Sequence, residues 1–144
     1  MKINECMTRD VRIVDPDETV QDAARVMADI DAGILPVGEN DRLVGIVTDR
    51  DIAIRAVALG RRPSARIRDV MSGTVAYCFE DDDSEDVLDT MANFQIRRMP
   101  VLDRNKRLVG IVSITDLAHN GEASRAGRAL GDITRPSGLH SQSL

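Results

Sequence analysis

The sequence predicts a mixed α/β (α+β) fold built from two βαββα repeats related by a pseudo-two-fold axis. Three observations carry that expectation. The chain repeats itself: Met7, Val11, Met27, Pro36 and Val37 recur as Met71, Val75, Met91, Pro100 and Val101 at a constant offset of 64 positions. After one extra residue in the later turn the offset becomes 65, so that Leu43-Val44-Gly45-Ile46-Val47-Thr48 matches Leu108-Val109-Gly110-Ile111-Val112-Ser113 and Asp51 matches Asp116. Register kept over this many positions marks a duplicated structural unit. Within each copy the hydrophobic period also switches between the strand and helix values.

The elements follow in order. In the first copy Val11–Val14 reads as a short strand closed by Asp15-Pro16. Val20, Ala23, Ala24, Met27 and Ile30 then share one helical face, with Thr19 as N-cap and Asp22 three residues on. Gly33 is expected to stop this helix. Ile34–Val37 is a strand, Gly38–Arg42 a polar turn, and Leu43–Val47 a buried strand in which Gly45 marks a close approach. Asp49–Leu59 is the second helix, ended by Gly60.

The second copy follows the same plan. Val75–Cys78 is a strand, and Val87, Leu88, Met91 and Phe94 form the helix stripe, with Asp83 and Asp86 in the places of Thr19 and Asp22. Met99–Leu102 and Leu108–Val112 are strands joined by Asp103-Arg104-Asn105-Lys106, and Ile114–His119 opens a last helix that Gly121 ends or interrupts. On this reading residues 1–60 are the first repeat, 61–69 a linker and 70–121 the second repeat. Residues 122–144, rich in Gly, Ser, Arg and Thr, are expected to be a mobile tail. A repeat of roughly 60 residues is marginal alone, so the two are expected to pack together and leave a ligand-binding cleft at the axis.

Composition narrows the function. Apolar residues at 42% allow a core, and aromatics at 2% with no Trp leave Val, Ile, Leu, Met and Ala to build it. So few aromatics give no stacking platform for single strands, and a net charge of −5 gives no broad basic footprint, so nucleic acid is an unlikely partner on both counts. The N-terminus MKINECMTRD lacks the apolar stretch of a secretory signal, and no apolar run approaches membrane-spanning length. A reduced cytoplasmic setting is expected, with Cys6 and Cys78 as small buried hydrophobes, though a disulfide between them is open.

No nucleophile elbow, phosphate-binding loop or dinucleotide fingerprint occurs, and His119 and His140 have no partners at ligand spacing. The acidic run Glu80–Asp86 lacks the Gly and terminal Glu of a calcium loop, and acids ahead of a helix suit its dipole. The expectation is therefore no enzyme, no metal and no obligatory cofactor.

Three pairs of segments are more specific: the openings Cys6-Met7-Thr8 and Val70-Met71-Ser72, the strands Pro36-Val37 and Pro100-Val101, and the endings Gly45-Ile46-Val47-Thr48-Asp49-Arg50-Asp51 and Gly110-Ile111-Val112-Ser113-Ile114-Thr115-Asp116. Over about residues 3–121 these resemble the cystathionine-β-synthase (CBS) domain family. Thr48–Leu59 and its Arg-rich sequel are also similar to small stand-alone bacterial two-repeat proteins of the hypoxic-response type. The resemblance implies a regulatory sensor that holds an adenosine-type nucleotide (AMP, ADP, ATP, NAD or S-adenosylmethionine) between its repeats. It also implies a homodimer, and an effector protein to read the signal.

By the same resemblance Asp51 and Asp116 would accept the ribose hydroxyls, and Thr48 and Ser113 would meet phosphate. A vicinal diol offers two donors to one carboxylate, which makes that role physically sound. Adenine would lie against Ile34 and Leu35, or against Arg98 and Met99, with Val11, Ile13 or Tyr77. Arg97 and Arg98 would reach the phosphates in the second repeat, where the first has Gly33-Ile34. Arg50 is a further phosphate candidate.

Another reading stays open for the same residues: Thr48-x-x-Asp51 and Ser113-x-x-Asp116 are also helix capping boxes, and a cap stabilises a helix with or without ligand. Two other functions stay open as well. One is a ligand-free protein-interaction or dimerisation domain, and the other a thiol-based stress sensor using Cys6 and Cys78.

Overall fold

The computed structural model describes residues 1–73 and 75–135. The chain divides into two compact units. The first-repeat unit comprises Asp10–Val75 with Arg104–Leu108; the second-repeat unit comprises Met1–Arg9, Ala76–Asp103 and the described residues from Val109 on. Division by contact thus differs from division by sequence. Ile3 and Met7 lie in the core of the second repeat, while Ile67 of the expected linker and Val70, expected to open the second repeat, lie in the core of the first. Pairing between distant segments has no periodic signature, so the sequence alone gave no sign of this exchange.

In the first-repeat unit, α1 (Val20–Ile30) starts at Thr19, whose hydroxyl accepts from the Asp22 N–H while the Asp22 carboxylate accepts from the Thr19 N–H, both at 3.1 Å. Hydrogen bonding to the carboxylate from the Thr19 backbone N–H, and then from its hydroxyl, holds the Asp22 carboxyl below its usual pKa. Val20, Ala23 and Met27 turn inward, whereas Ala24 and Ile30 of the expected stripe are exposed. The helix stops at Asp31, which is left-handed at φ 53°, two residues before the Gly33 expected for that task. An aspartate tolerates this conformation because its short polar side chain can bond locally.

Strands β1 (Ile34–Glu39) and β2 (Arg42–Thr48) pair antiparallel. Their two-residue turn, Asn40-Asp41, has φ of 54° and 62°. Two successive positive φ values match the right-handed twist of the strands, and Asn and Asp are the non-glycine residues that adopt them most readily. Helix α2 (Asp49–Asp51) runs on into a wider turn, Ile52–Val57, with the Ala58 N–H reaching back to the Ala53 carbonyl. Gly60, at φ 73°, closes it.

The expected strand Val11–Val14 shrinks to a single parallel bridge between Val14 and Val37. The reason is Pro36. The Val14 N–H donates to the Pro36 carbonyl and the Gly38 N–H donates to the Val14 carbonyl. Extending the ladder back to Arg12 would need an N–H on Pro36, which proline lacks. In the second-repeat unit Pro100 imposes the same limit, and β3 is only Cys78–Phe79, parallel to β4 (Arg98–Leu102) at Val101 and Leu102. The order there is β3-β4-β5, with β5 spanning Leu108–Ser113.

Helix α3 (Ser84–Phe94) buries Val87, Leu88 and Met91 and leaves Phe94 at its exposed end. Its N-cap Asp83 makes no capping bond, because its carboxylate is 3.0 Å from the Lys2 ammonium instead. Helix α4 (Ile114–Leu117) widens over Ala118–Glu122 and breaks at Asn120 and Gly121, the latter at φ 101°. The chain then re-enters a helix, α5 (Ala123–Ile133), where a mobile tail was expected. Ala126 and Ala129 bury against the same core as α3 and α4, with Ile133 packed beside them. Alanine is the best helix former and lets two helices approach closely, yet it gives a weak hydrophobic signal in a sequence. Residues 136–144 of the expected tail lie outside the described residues.

Candidate ligand-binding site

Each unit ends its last strand in a hydroxyl residue followed three places later by an aspartate. Alternation along β2 buries Gly45 and Val47 and leaves Val44, Ile46 and Thr48 on the half-exposed face. The same alternation in β5 buries Gly110 and Val112 and leaves Ser113 half-exposed. The two glycines are where backbone comes close. A Cβ on Gly45 would sit 2.7 Å from the Ser72 carbonyl oxygen and 2.8 Å from Met71 Sδ. A Cβ on Gly110 would sit 2.7 Å from the Thr8 carbonyl oxygen and 2.9 Å from Met7 Sδ. The Met-Ser and Met-Thr segments therefore dock on the Gly-Ile-Val strands, tied by paired backbone bonds between Ile46 and Ser72 and between Ile111 and Thr8.

The capping reading is realised in full. Thr48 Oγ1 accepts from the Asp51 N–H and Asp51 Oδ2 accepts from the Thr48 N–H, each at 3.0 Å. Ser113 and Asp116 make the same two bonds at the same distances. One oxygen of each carboxylate is thereby fixed, and the other, Oδ1, is aimed elsewhere. Asp51 Oδ1 lies 3.8 Å from Arg55 Nε, an i,i+4 ion pair. The position matching Arg55 is Asn120, whose amide donates to the Asp116 backbone carbonyl, and among the described residues Asp116 Oδ1 has no partner. A fixed carboxylate with one open oxygen can accept hydrogen bonds from a polyol.

The remaining expected residues divide. Ile34 pairs directly across from Thr48 and is half-exposed, so the two share a face. Leu35 pairs with Val47, and both are buried. Met99 is also buried, with its side chain in the core, so Leu35 and Met99 could meet a ligand only through backbone. Arg97 and Arg98 are exposed, and the Arg97 carbonyl accepts from the Ile114 N–H, which brings it to the start of α4. Tyr77 is exposed and stands edge-on to Phe79 at 5.7 Å. Ile13, at the matching place, lies over Gly38.

Two features were missed in the sequence. The ion pair of Arg55 with Asp51 was legible as i,i+4 spacing. The approach of Asp49 to Gly33 was not: the Asp49 N–H donates to the Gly33 carbonyl, and a Cβ on Gly33 would lie 2.7 Å from Asp49 Oδ2.

Other candidates carry less. The acidic run is engaged in structure, with Asp82 accepting from the Phe79 N–H and Asp83 paired with Lys2. No three His, Cys, Asp or Glu side chains gather to hold a metal among the described residues. Both cysteines are free thiols, so the disulfide left open by the sequence is not formed. Burial, reinforced by Asp82, pushes the Cys78 thiol up to about 12, and burial together with Asp116 raises Cys6. Thiols held protonated are poor nucleophiles, which weighs against a thiol sensor. No helix of the described residues is long and apolar enough to cross a membrane.

Two strand-and-helix units, each ending its last strand in a capped hydroxyl–aspartate pair, define a tandem-repeat protein. The CBS domain model matches residues 3–57 and 67–122, and the chain belongs to the CBS domain family. It is 41% identical over 133 residues to the CBS domain-containing protein YhcV of Bacillus subtilis, covering 92% of this chain and 94% of that one. It is similar to the crystal structure of Hypoxic Response Protein I with two coordinated zinc ions, at TM-score 0.75 and 35% identity over 83% of this chain and 98% of that one. It is also similar to the CBS domain pair of protein MJ0100 in complex with 5′-methylthioadenosine and S-adenosyl-L-methionine, at TM-score 0.74 and 26% identity over 83% of this chain and 98% of that one.

Proposed function

We propose that this chain is a non-catalytic sensor that binds an adenosine-type ligand (AMP, ADP, ATP, NAD or S-adenosylmethionine) through Thr48 and Asp51 or through Ser113 and Asp116. The observation that carries this reading is the pair of fixed aspartates, each with one oxygen outside its capping box. The similarity to a CBS pair that holds two adenosine compounds supports the ligand class. Ile34 supplies an apolar surface beside Thr48, and Tyr77 an exposed ring in the second repeat. Capping and ligand binding are compatible, because the open carboxylate oxygen is not needed by the cap. The reading includes a homodimer in the cytoplasm and an effector protein that responds to the ligand-bound form. A ligand changes such a protein only through its differential affinity for two states.

A thermal-shift panel of AMP, ADP, ATP, NAD and S-adenosylmethionine tests it. At about 100 times the dissociation constant, binding adds about 2.7 kcal/mol to apparent stability, a rise of about 5–10 °C for a chain of this size. We expect at least one compound to give that rise and the double variant Asp51→Ala/Asp116→Ala to lose it. A flat panel would favour a ligand-free interaction domain.

A further inference from the structure

Asp51 and Asp116 hold the same place in the two repeats, yet only Asp51 carries a counter-ion. Its Oδ1, the oxygen left over by the capping box, stands 3.8 Å from Arg55 Nε. Arg55 is not a loose surface cation. Its Nη1 donates to the Val70 and Met71 carbonyls, each at 3.3 Å, so the guanidinium is held by backbone while it faces the carboxylate. That backbone is itself docked: the Ser72 N–H and carbonyl pair with Ile46 on β2, and Met71 Sδ lies against Gly45.

The second repeat begins its helix in the same way and continues it differently. The chain leaves helical geometry at Asn120, the place of Arg55, with φ −106° and ψ 29°. The Asn120 amide donates to the Asp116 backbone carbonyl at 2.6 Å. A short uncharged side chain engaged with backbone leaves the carboxylate alone.

This difference falls on any hydroxyl that approaches Asp51. A carboxylate whose charge is already matched by a guanidinium gains less from accepting a neutral hydroxyl, and Arg55 takes one of the approaches to Oδ1. Oδ2 is committed to the Thr48 N–H. The two hydroxyls of a diol must therefore share what Arg55 leaves or displace it. The Arg55 side chain is 52% exposed against 18% for Asp51, so it has room to swing away. What opposes that swing is the ion pair itself, which salt screens.

We infer that Arg55 is a resident competitor for Asp51: it holds the acceptor that a ribose diol needs, and so makes the Thr48–Asp51 site bind an adenosine compound more weakly at low salt than at high salt. Arg55 acts through the carboxylate and is a positioning residue. The inference rests on the adenosine-binding reading above. It adds a control on that site which the second repeat, with Asn120, does not have.

An adenosine titration of the full chain, followed through the backbone amides of Thr48–Asp51 and of Ser113–Asp116, tests it. Adenosine is uncharged, so salt acts on its binding chiefly through the protein's own charges. Going from about 0.01 M to about 1 M salt shortens the screening length from about 30 Å to about 3 Å. In the wild-type chain this is expected to lower the half-saturation concentration at Thr48–Asp51 by about two- to fivefold, the range of a partly exposed ion pair, and to leave Ser113–Asp116 within about 1.5-fold. Arg55→Asn, which copies the second repeat, is expected to give the same gain at low salt and to remove the salt response. Arg55→Lys, which restores a cation, is expected to bring back both the weaker binding and the salt response. Melting temperature checks that the variants are folded, and the salt series on the wild-type chain needs no substitution. A Thr48–Asp51 response indifferent to salt, or binding there that Arg55→Asn leaves unchanged or weakens, overturns the role of Arg55 and leaves the adenosine reading intact. Stillness of both groups in the wild-type chain and in Arg55→Asn overturns the two together.

Discussion

The two repeats agree where backbone meets backbone and differ where side chains meet solvent. Gly45 and Gly110 are matched positions doing the same work, each leaving room for a carbonyl oxygen and a methionine sulfur at nearly identical distances. Thr48 with Asp51 and Ser113 with Asp116 form capping boxes of the same dimensions. Beside these, Gly33 stands against Arg97, Asp49 against Ile114, and Arg55 against Asn120. The duplicated frame fixes where a carboxylate and a hydroxyl stand; the unmatched neighbours set the charge around them. Each repeat therefore serves as the internal control for the other.

At neutral pH the largest effect should come from the matched glycines. Gly45→Ala and Gly110→Ala each force a Cβ against a carbonyl oxygen, and each is expected to cost about 1–3 kcal/mol in chemical denaturation. Near-equal losses would confirm that the frame is duplicated in energy as well as in shape. A neutral result at one position would show that its docked segment can move away, and would break the comparison there.

Cys78 gives a pH-dependent test, because its match in the first repeat is Val14. The unfolded thiol ionises near 9 and the folded one at about 12. The proton is retained in the folded state, so the stabilisation is complete below pH 9 and is lost as pH rises from 9 toward 12. Stability should fall in that window by up to about 1.4 kcal/mol per pH unit. Replacing Cys78 with the residue of the other repeat, Cys78→Val, should flatten the slope. A slope unchanged by that replacement would locate the alkaline loss elsewhere.

The caps give a smaller effect. Thr48→Ala and Ser113→Ala should each cost about 1 kcal/mol, measured without ligand. If one costs nothing, its hydroxyl serves the ligand alone and not the helix.

Much of this was legible in the sequence because it is local or periodic. The repeat offset located the matched glycines, the capping boxes and the strand endings, and Gly45 was readable as a place of close approach. What was not legible depends on partners distant in sequence or on weak signals. Pro36 and Pro100 shorten the first strand of each repeat by withholding one N–H each, although the apolar runs Val11–Val14 and Val75–Cys78 look long enough. Met1–Arg9 joins the second repeat through pairings such as Thr8 with Ile111, which no period announces. Helix α5 is held by alanines whose burial needs α3 and α4 already in place. At the site, the arginines were visible as an asymmetry, but the carboxylate of Asp49 over Gly33 required the fold.

The most direct measurement is an AMP titration followed residue by residue through backbone amide chemical shifts. The account predicts that the amides of Thr48–Asp51 or those of Ser113–Asp116 move and saturate together as ligand is added. Movement confined to residues outside both groups would contradict it.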